Sequence, residues 1–170
     1  MPQPLKRRPE LQPLSSEHHN GLLLALRVRT SLAGRPAAGA PASLAGLVDC
    51  VRGDYESMLL PHFRSEEEVL LAIETRHIDT HDPFVVRVLT EHVAVHGHVL
   101  EATREGRTDD ARRTALGHFA TLLDAHIRFE EREWFERLQA SLPEADWPRV
   151  GAALSARHIG ASCGLRQQST

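Results

Sequence analysis

Histidine and glutamate recur four residues apart within segments that otherwise have the pattern of apolar helices. His62 precedes Glu66, His126 precedes Glu130, and His92 precedes a second histidine at position 96. Residues four apart lie on one helix face, about one turn from each other. Burying ionisable side chains without partners is costly. A metal centre enclosed by several helices is a partner that all of these side chains can share.

Apolar residues follow helical spacing in four long segments, and the two-residue alternation typical of strands is absent from the sequence. The helices are predicted to start at Ser15 or Ser16, to span about 42–77, to start at Asp82-Pro83, and to start at Thr108 or Asp109. These helices predict an all-α, antiparallel up-down four-helix bundle with a short extra helix at about 146–157. The predicted division is a flexible tail over 1–13, the bundle with its appended helix over 14–158, and a tail over 159–170.

Composition excludes several classes of protein. The 170 residues include 23 acidic and 20 basic side chains, for a net charge of −3, which argues against a nucleic-acid binder. Cys50 and Cys163 are too few for a disulfide scaffold or a cysteine-based zinc finger. No apolar run is long enough for a signal peptide or a membrane span, so a cytoplasmic protein is expected. A single lysine among many arginines and alanines suggests a bacterial source.

The sequence repeats its own pattern. Residues 62–67 read HFRSEE and residues 126–131 read HIRFEE, while 17–18 and 91–92 both read Glu-His. Two matched helix pairs suggest a pseudo-twofold bundle around a dinuclear centre, with carboxylates bridging the two metals. Glu67, at the end of the first of these segments, is interpreted as a solvated helix charge.

Four pieces of the sequence, taken in order, resemble the hemerythrin-like (HHE cation-binding) domain family. They are Glu-His-His (17–19), His-x-x-x-Glu-Glu (62–67), Glu-His-x-x-x-His (91–96) and His-x-x-x-Glu-Glu (126–131). The resemblance covers about residues 14–140. It implies an up-down four-helix bundle and a di-iron centre with an oxo or hydroxo bridge, histidine ligands and two bridging carboxylates. Zinc and manganese also suit these ligand types. The implied metal ligands are His19, His62, Glu66, His92, His96, His126 and Glu130, with His18 and Glu131 as alternates.

The histidine of the first helix stays open between two neighbours. His19 is followed by Leu22 and Leu26, three and seven residues on, which is the apolar spacing that also follows His92. This spacing favours His19. His18 instead matches the repeated Glu-His pair, so it stays as the alternate.

The final carboxylate is also open. The family's hemerythrins place an Asp five residues after the histidine, which would select Glu131, whereas its iron-centre repair proteins place a Glu four after it, which selects Glu130. On an ideal helix, a residue four on stays about 40° from His126 and a residue five on about 140° away. This geometry and the matching position of Glu66 favour Glu130.

The predicted function depends on how many positions the ligands fill. Two six-coordinate irons offer about twelve positions, and five histidines, two bridging carboxylates and a bridging oxygen leave about one for a ligand. One open position favours a di-iron protein that binds dioxygen, and NO as well, for sensing, storage or delivery rather than as an enzyme. The alternative is an enzyme that decomposes hydrogen peroxide or repairs iron centres, which is favoured if His96 is not a ligand. The chain is expected to bind neither nucleic acid nor membrane, and to be a monomer or a weak homodimer.

Overall fold

A computed structural model describes residues 6–164, and the side chains of residues 6–157. This part of the chain is helical and contains no strand. The main helices are α1 (Gln12–Leu32), α2 (44–74), α3 (Pro83–Thr103), α4 (109–141) and α5 (Trp147–Gly164), with short 3-10 helices at Pro9–Leu11 and Glu144–Asp146. Four long helices and a shorter C-terminal one form a helical bundle, as the sequence predicts.

Side-chain caps start α3 and α4 at the predicted residues. The Asp82 carboxylate accepts a hydrogen bond from the Phe84 amide at 2.9 Å, and Pro83 follows it as the first helical residue. The Thr108 hydroxyl accepts from the Ala111 amide at 3.3 Å. The predicted start of α1 at Ser15 or Ser16 is wrong by three or four residues, because the 3-10 helix before it leads directly into the α-helix.

The segment predicted to be an N-terminal tail packs against the bundle over its described residues. Leu11 is fully buried, and the Arg7 guanidinium donates to the carboxylate of Glu131 at 2.6 Å. Arg8 lies 4.4 Å over the ring of Trp147, the first residue of α5. The tail prediction therefore fails for residues 7–13, and residues 1–5 lie outside the described residues. At the other end, α5 continues to residue 164, and 165–170 lie outside the described residues.

Contacts between neighbouring helices pair rising residue numbers with falling ones. Such contacts join Glu17 to His62 and Arg27 to Asp54 (α1 and α2), Tyr55 to His96 and Glu67 to His92 (α2 and α3), His92 to His126 and His98 to His118 (α3 and α4), and His18 to Glu131 and Arg29 to Asp124 (α1 and α4). These helix pairs are therefore antiparallel, in agreement with the predicted up-down order.

Two of the long helices contain π-helical turns. In α2 these turns are Tyr55–Leu59 and Glu66–Leu71, and in α4 the turn is Glu130–Trp134. Pro61 has no amide hydrogen to continue an α-helical ladder, and α2 accommodates it directly after the first π turn. The other two π turns each begin at a buried glutamate. Such turns widen a helix locally and are frequent at functional sites.

The core consists of two apolar clusters, one on each side of a polar layer. One cluster includes Leu24, Phe63 and Leu123, and the other includes Leu14 and Phe135. The histidine and glutamate side chains of the predicted site form the layer between them. The fold thus encloses its polar residues on both sides with close-packed apolar side chains.

Candidate metal centre

Six polar side chains meet in the layer between the two apolar clusters, and each is at most 4% exposed. They come from all four long helices: His18 from α1, His62 and Glu66 from α2, His92 from α3, and His126 and Glu130 from α4. The sequence places them there because each lies on the buried stripe of its own helix. The predicted histidine–glutamate pairs are therefore brought together in one place.

These side chains form two groups that share both glutamates. One group is His18, His62, Glu66 and Glu130, the other is His92, His126, Glu66 and Glu130, and the ligand atoms within each lie within 4.8 Å of one another. One Glu66 oxygen lies 3.2 Å from His62 Nε2, and its other oxygen lies 3.3 Å from His92 Nε2. The two oxygens of Glu130 divide in the same way between His18 and His126, at 3.1 Å each. Each carboxylate thus faces both groups, which is the arrangement of a bridging ligand.

The inward-facing atoms are unsatisfied. Within the described part of the chain, the Nε2 atoms of the four histidines and both carboxylate oxygens of Glu66 and Glu130 are buried without a hydrogen-bond partner. Leaving so many buried polar atoms unpaired is unfavourable. Two metal ions would satisfy all of them, because imidazole nitrogen and carboxylate oxygen are ligands of Fe, Mn and Zn. The residues present therefore fit a dinuclear centre.

An outer set of four glutamates contacts the four inner histidines at Nδ1, the ring nitrogen that faces away from the centre. The four pairs are His18–Glu131, His62–Glu17, His92–Glu67 and His126–Glu91, with Nδ1 to oxygen distances of 2.6, 2.7, 2.8 and 2.8 Å. When Nδ1 donates its hydrogen to the carboxylate, the Nε2 lone pair faces the centre. Such outer partners fix the tautomer and orientation of metal-binding histidines and increase their basicity. The centre is therefore oriented for cations before any metal binds.

Among the outer glutamates, the sequence predicts Glu131 only as an alternate metal ligand and does not predict Glu17, Glu67 or Glu91 as part of the site. Glu67, interpreted as a solvated charge, is only about one third exposed and accepts from His92. Each outer glutamate directly precedes or follows an inner residue of its own helix, as Glu17 precedes His18 and Glu67 follows Glu66. This adjacency is visible in the repeated Glu-His and Glu-Glu pairs and was the available signal.

The electrostatics of the layer favour positive charge. Burial alone would lower the pKa of His92, but the nearby carboxylates of Glu130, Glu66 and Glu67 raise it to about 11. Burial would lower the pKa of His126, but Glu130 and Glu91 together outweigh burial and raise it to about 9. In the opposite direction, burial would raise the pKa of Glu131, and the His18 contact lowers it to about 2. The carboxylates that favour protonated histidine would also stabilise divalent cations bound in the same layer.

The structure corrects the choice within the first helix. His18 is 3% exposed and lies in the layer, whereas the preferred His19 is exposed on the outside of α1. The buried stripe of α1 runs through Leu14, His18, Gly21 and Ala25, whose small members allow close packing. A Cβ atom built on Gly21 would lie 2.7 Å from the side chain of Ile127, so α1 approaches α4 closely at this level.

His96 is not brought into either group. Its Nδ1 lies 2.7 Å from the Tyr55 hydroxyl, and its ring is in edge contact with Phe63. Phe63 also stacks on His92, with ring centroids 4.1 Å apart, so it is packed against both histidines. Burial and then the charge of His92 lower the pKa of His96. The expectation that His96 belongs to the inner ligand set is therefore corrected.

Of the two candidates for the final carboxylate, the structure places the preferred Glu130 in the polar layer. Glu130 is fully buried in the layer, and Glu131 faces the outer nitrogen of His18. The residue four positions after His126 stays close to the direction of the His126 side chain, and the residue five positions after it points toward the neighbouring helix. Glu130 thus lies between the two groups, and Glu131 contacts one of the histidines from outside.

A small cavity borders the centre on the side of His18 and His62. Apart from these histidines and Glu17, its lining is apolar and consists of Gly21, Met58, Leu59, Phe63, Leu123 and Ile127. The cavity suits a ligand of a few atoms, because the side chains around it are otherwise close-packed.

Comparison with known proteins identifies a family for most of the chain. The family model described as the hemerythrin HHE cation binding domain matches residues 13–138. No curated protein and no solved structure matches the chain. Among the helices that the structure describes, none has the length and hydropathy required to cross a membrane. Because the family model covers most of the chain, and the four histidine-bearing helices fall within the match, the chain belongs to the hemerythrin HHE cation-binding domain family.

Proposed function

We propose that this protein is a non-haem di-iron protein that reacts with hydrogen peroxide and with NO. The observation that carries the proposal is the pair of histidine groups sharing Glu66 and Glu130, with His96 outside both. This ligand set is the condition under which the peroxide or iron-repair alternative is favoured over reversible dioxygen binding.

The number of protein ligands supports a metal centre that reacts with peroxide. Each metal would receive two histidine nitrogens and one oxygen from each of two carboxylates. With a bridging oxygen counted as well, two six-coordinate irons then leave about two open positions per centre, one more than a five-histidine centre leaves. Bound iron would supply the electrons for reducing peroxide, a role that zinc could not fill.

The chain's own residues would perform three tasks. His18, His62, His92 and His126 would bind the metals, while Glu66 and Glu130 would bridge them. The outer glutamates would keep each imidazole turned toward its metal. The apolar lining of the cavity would exclude water and admit small ligands beside His18 and His62.

Reversible dioxygen binding is the second candidate. The apolar lining of the cavity favours it, because dioxygen is small and uncharged. Under this candidate, the protein would take up dioxygen and release it unchanged, and would consume little peroxide.

Iron-loaded protein distinguishes the two candidates. We expect two irons per chain, rapid loss of added peroxide, and loss of both properties in His18→Gln. The matched control is His19→Gln, which changes the exposed neighbour on the same helix and should behave as the wild type. Iron binding without peroxide loss, together with an absorption change that reverses on removal of oxygen, would favour dioxygen binding. Absence of iron binding under anaerobic loading would overturn the proposal.

A further inference from the structure

Tyr55 is the only tyrosine in the chain, and its hydroxyl is paired with His96. The phenol oxygen lies 2.7 Å from His96 Nδ1, and the two rings are in edge contact with centroids 5.6 Å apart. Both side chains are half-buried. A neutral imidazole with its hydrogen on Nε2 presents Nδ1 as an acceptor for the phenolic hydrogen.

A continuous line of aromatic rings leads from this pair to the candidate metal centre. His96 is in edge contact with Phe63, with ring centroids 5.6 Å apart. Phe63, which is 1% exposed, stacks on His92 at 4.1 Å and lies in edge contact with His126 at 5.8 Å. The rings from Tyr55 to His92 therefore connect a half-buried phenol to the candidate centre through one hydrogen bond and two ring contacts.

We propose that Tyr55 is a redox-active residue that gives one electron to the centre during peroxide reduction, with His96 as the acceptor of its phenolic proton. This inference rests on the proposed function, since hydrogen peroxide is the oxidant. One peroxide takes up two electrons and two protons and yields two water molecules. When only one of the two irons is ferrous, that iron gives one electron and Tyr55 gives the other, while the two protons come from solvent.

The His96 contact makes the electron loss feasible. A phenol that loses an electron without its proton forms a high-energy radical cation. When the proton moves to His96 Nδ1 in the same step, the products are a neutral phenoxyl radical and an imidazolium. An external one-electron reductant such as ascorbate then restores the phenol, and the proton returns from His96.

Freeze-quench electron paramagnetic resonance tests the proposal. Anaerobic protein with one ferrous and one ferric iron per centre is mixed with one equivalent of peroxide per centre, and peroxide loss is recorded in the same samples. We expect an organic-radical signal whose hyperfine structure changes in protein grown on ring-deuterated tyrosine, and which Tyr55→Phe abolishes. Since the chain contains one tyrosine, the isotope assigns the signal to one residue.

Substitution of His96, with a matched control, tests whether this residue accepts the phenolic proton. In His96→Gln we expect the radical to form about a hundredfold more slowly, the lower end of what a positioned proton acceptor contributes. His98→Gln, which changes a histidine of the same helix that contacts His118 instead, should leave the radical unchanged. Peroxide loss in the wild type without a tyrosine radical would overturn the inference and leave the proposed function standing.

Metal-free protein separates failure of the inference from failure of the proposed function. A photogenerated one-electron oxidant in solution can oxidise Tyr55 in the absence of iron, and transient absorption follows the phenoxyl radical. We expect its formation to be slowed by His96→Gln and unaffected by His98→Gln. Equal rates in wild type and His96→Gln would overturn the role of His96, whether or not the iron-loaded protein consumes peroxide.

Discussion

The two halves of the candidate centre have the same inner ligands but different surroundings. The first half contains His18 and His62, and the second contains His92 and His126. The first half borders the small cavity, whereas in the second half the ring of Phe63 lies flat on His92. Small ligands would therefore reach the first half more easily, while the second half is the one in contact with the aromatic rings.

The halves also differ in how their outer carboxylates are held. On the first half, Glu131 accepts from Arg7, which belongs to the segment before α1, at 2.6 Å. On the second half, Glu91 accepts from Arg87 of its own helix at 2.8 Å. The first half thus depends on residues far apart in the chain, and the second on a local pair.

The largest expected effect comes from a bridging carboxylate, since it serves both halves. Glu130→Gln should reduce iron from two per chain to less than one and abolish peroxide loss, because one neutral amide replaces a ligand of both groups. Metal analysis after anaerobic loading measures this. The control is Glu133→Gln, an exposed residue of the same π turn. Two tightly bound irons in Glu130→Gln would contradict the bridging role.

Substitution of an outer glutamate should have a smaller effect on metal binding, and the effect should be specific to one half of the centre. Glu131→Gln and Glu67→Gln should each weaken metal binding by about tenfold to a hundredfold, because they release the orienting bond to His18 and His92 respectively. Competition with a chelator measures both affinities. Glu68→Gln, which changes an exposed neighbour of Glu67, is the control. If both irons are lost equally in each variant, the halves are not separable.

Filling the cavity should slow ligands without removing iron. Gly21→Ala places a methyl group beside Ile127 on the first half, and we expect azide to bind the ferric protein about tenfold more slowly. Stopped-flow absorption measures the rate. Gly97→Ala, where the added methyl group meets no atom, is the matched control. Unchanged azide kinetics in Gly21→Ala would show that ligands enter elsewhere.

The smallest expected effect is a pH dependence of stability in the metal-free protein. The folded-state pKa values of His126 and His92, about 9 and about 11, lie above the unfolded value of 6.5. Their stabilising contribution is complete below pH 6.5 and is lost as the pH rises through 9 and then 11. Tm, followed by circular dichroism, should therefore fall from pH 6.5 to pH 9 without metal. With metal bound the fall should disappear, since neutral imidazole is the ligand. A metal-free Tm that rises over this range would contradict the raised pKa values.

Much of the fold, and most of the residues that meet in the candidate centre, could be predicted because they obey helical periodicity. Asp82, Thr108, and the pairs His62–Glu66 and His126–Glu130 lie where spacing and capping place them. The error at His19 arose because the spacing of large apolar residues outweighed Gly21, whose small size marks the packed side of α1.

Tertiary contacts that local sequence does not encode explain the other differences. His96 lies one turn from His92 on α3, but Tyr55 and Phe63 of α2 are packed against its ring. Glu67 reaches His92 on the next helix rather than solvent. The π turns that begin at Glu66 and Glu130 likewise have no sequence signal comparable to a cap.

The outer carboxylates form a closed circle around the bundle. Glutamates of α1, α2 and α3 each orient the histidine of the following helix, and the glutamate of α4 orients the histidine of α1. A circle of this kind has no first or last member, so no single helix hairpin contains a complete set of oriented ligands. Metal affinity should therefore report on the assembly of the whole bundle, and an early folding intermediate that lacks one helix would release both ions together.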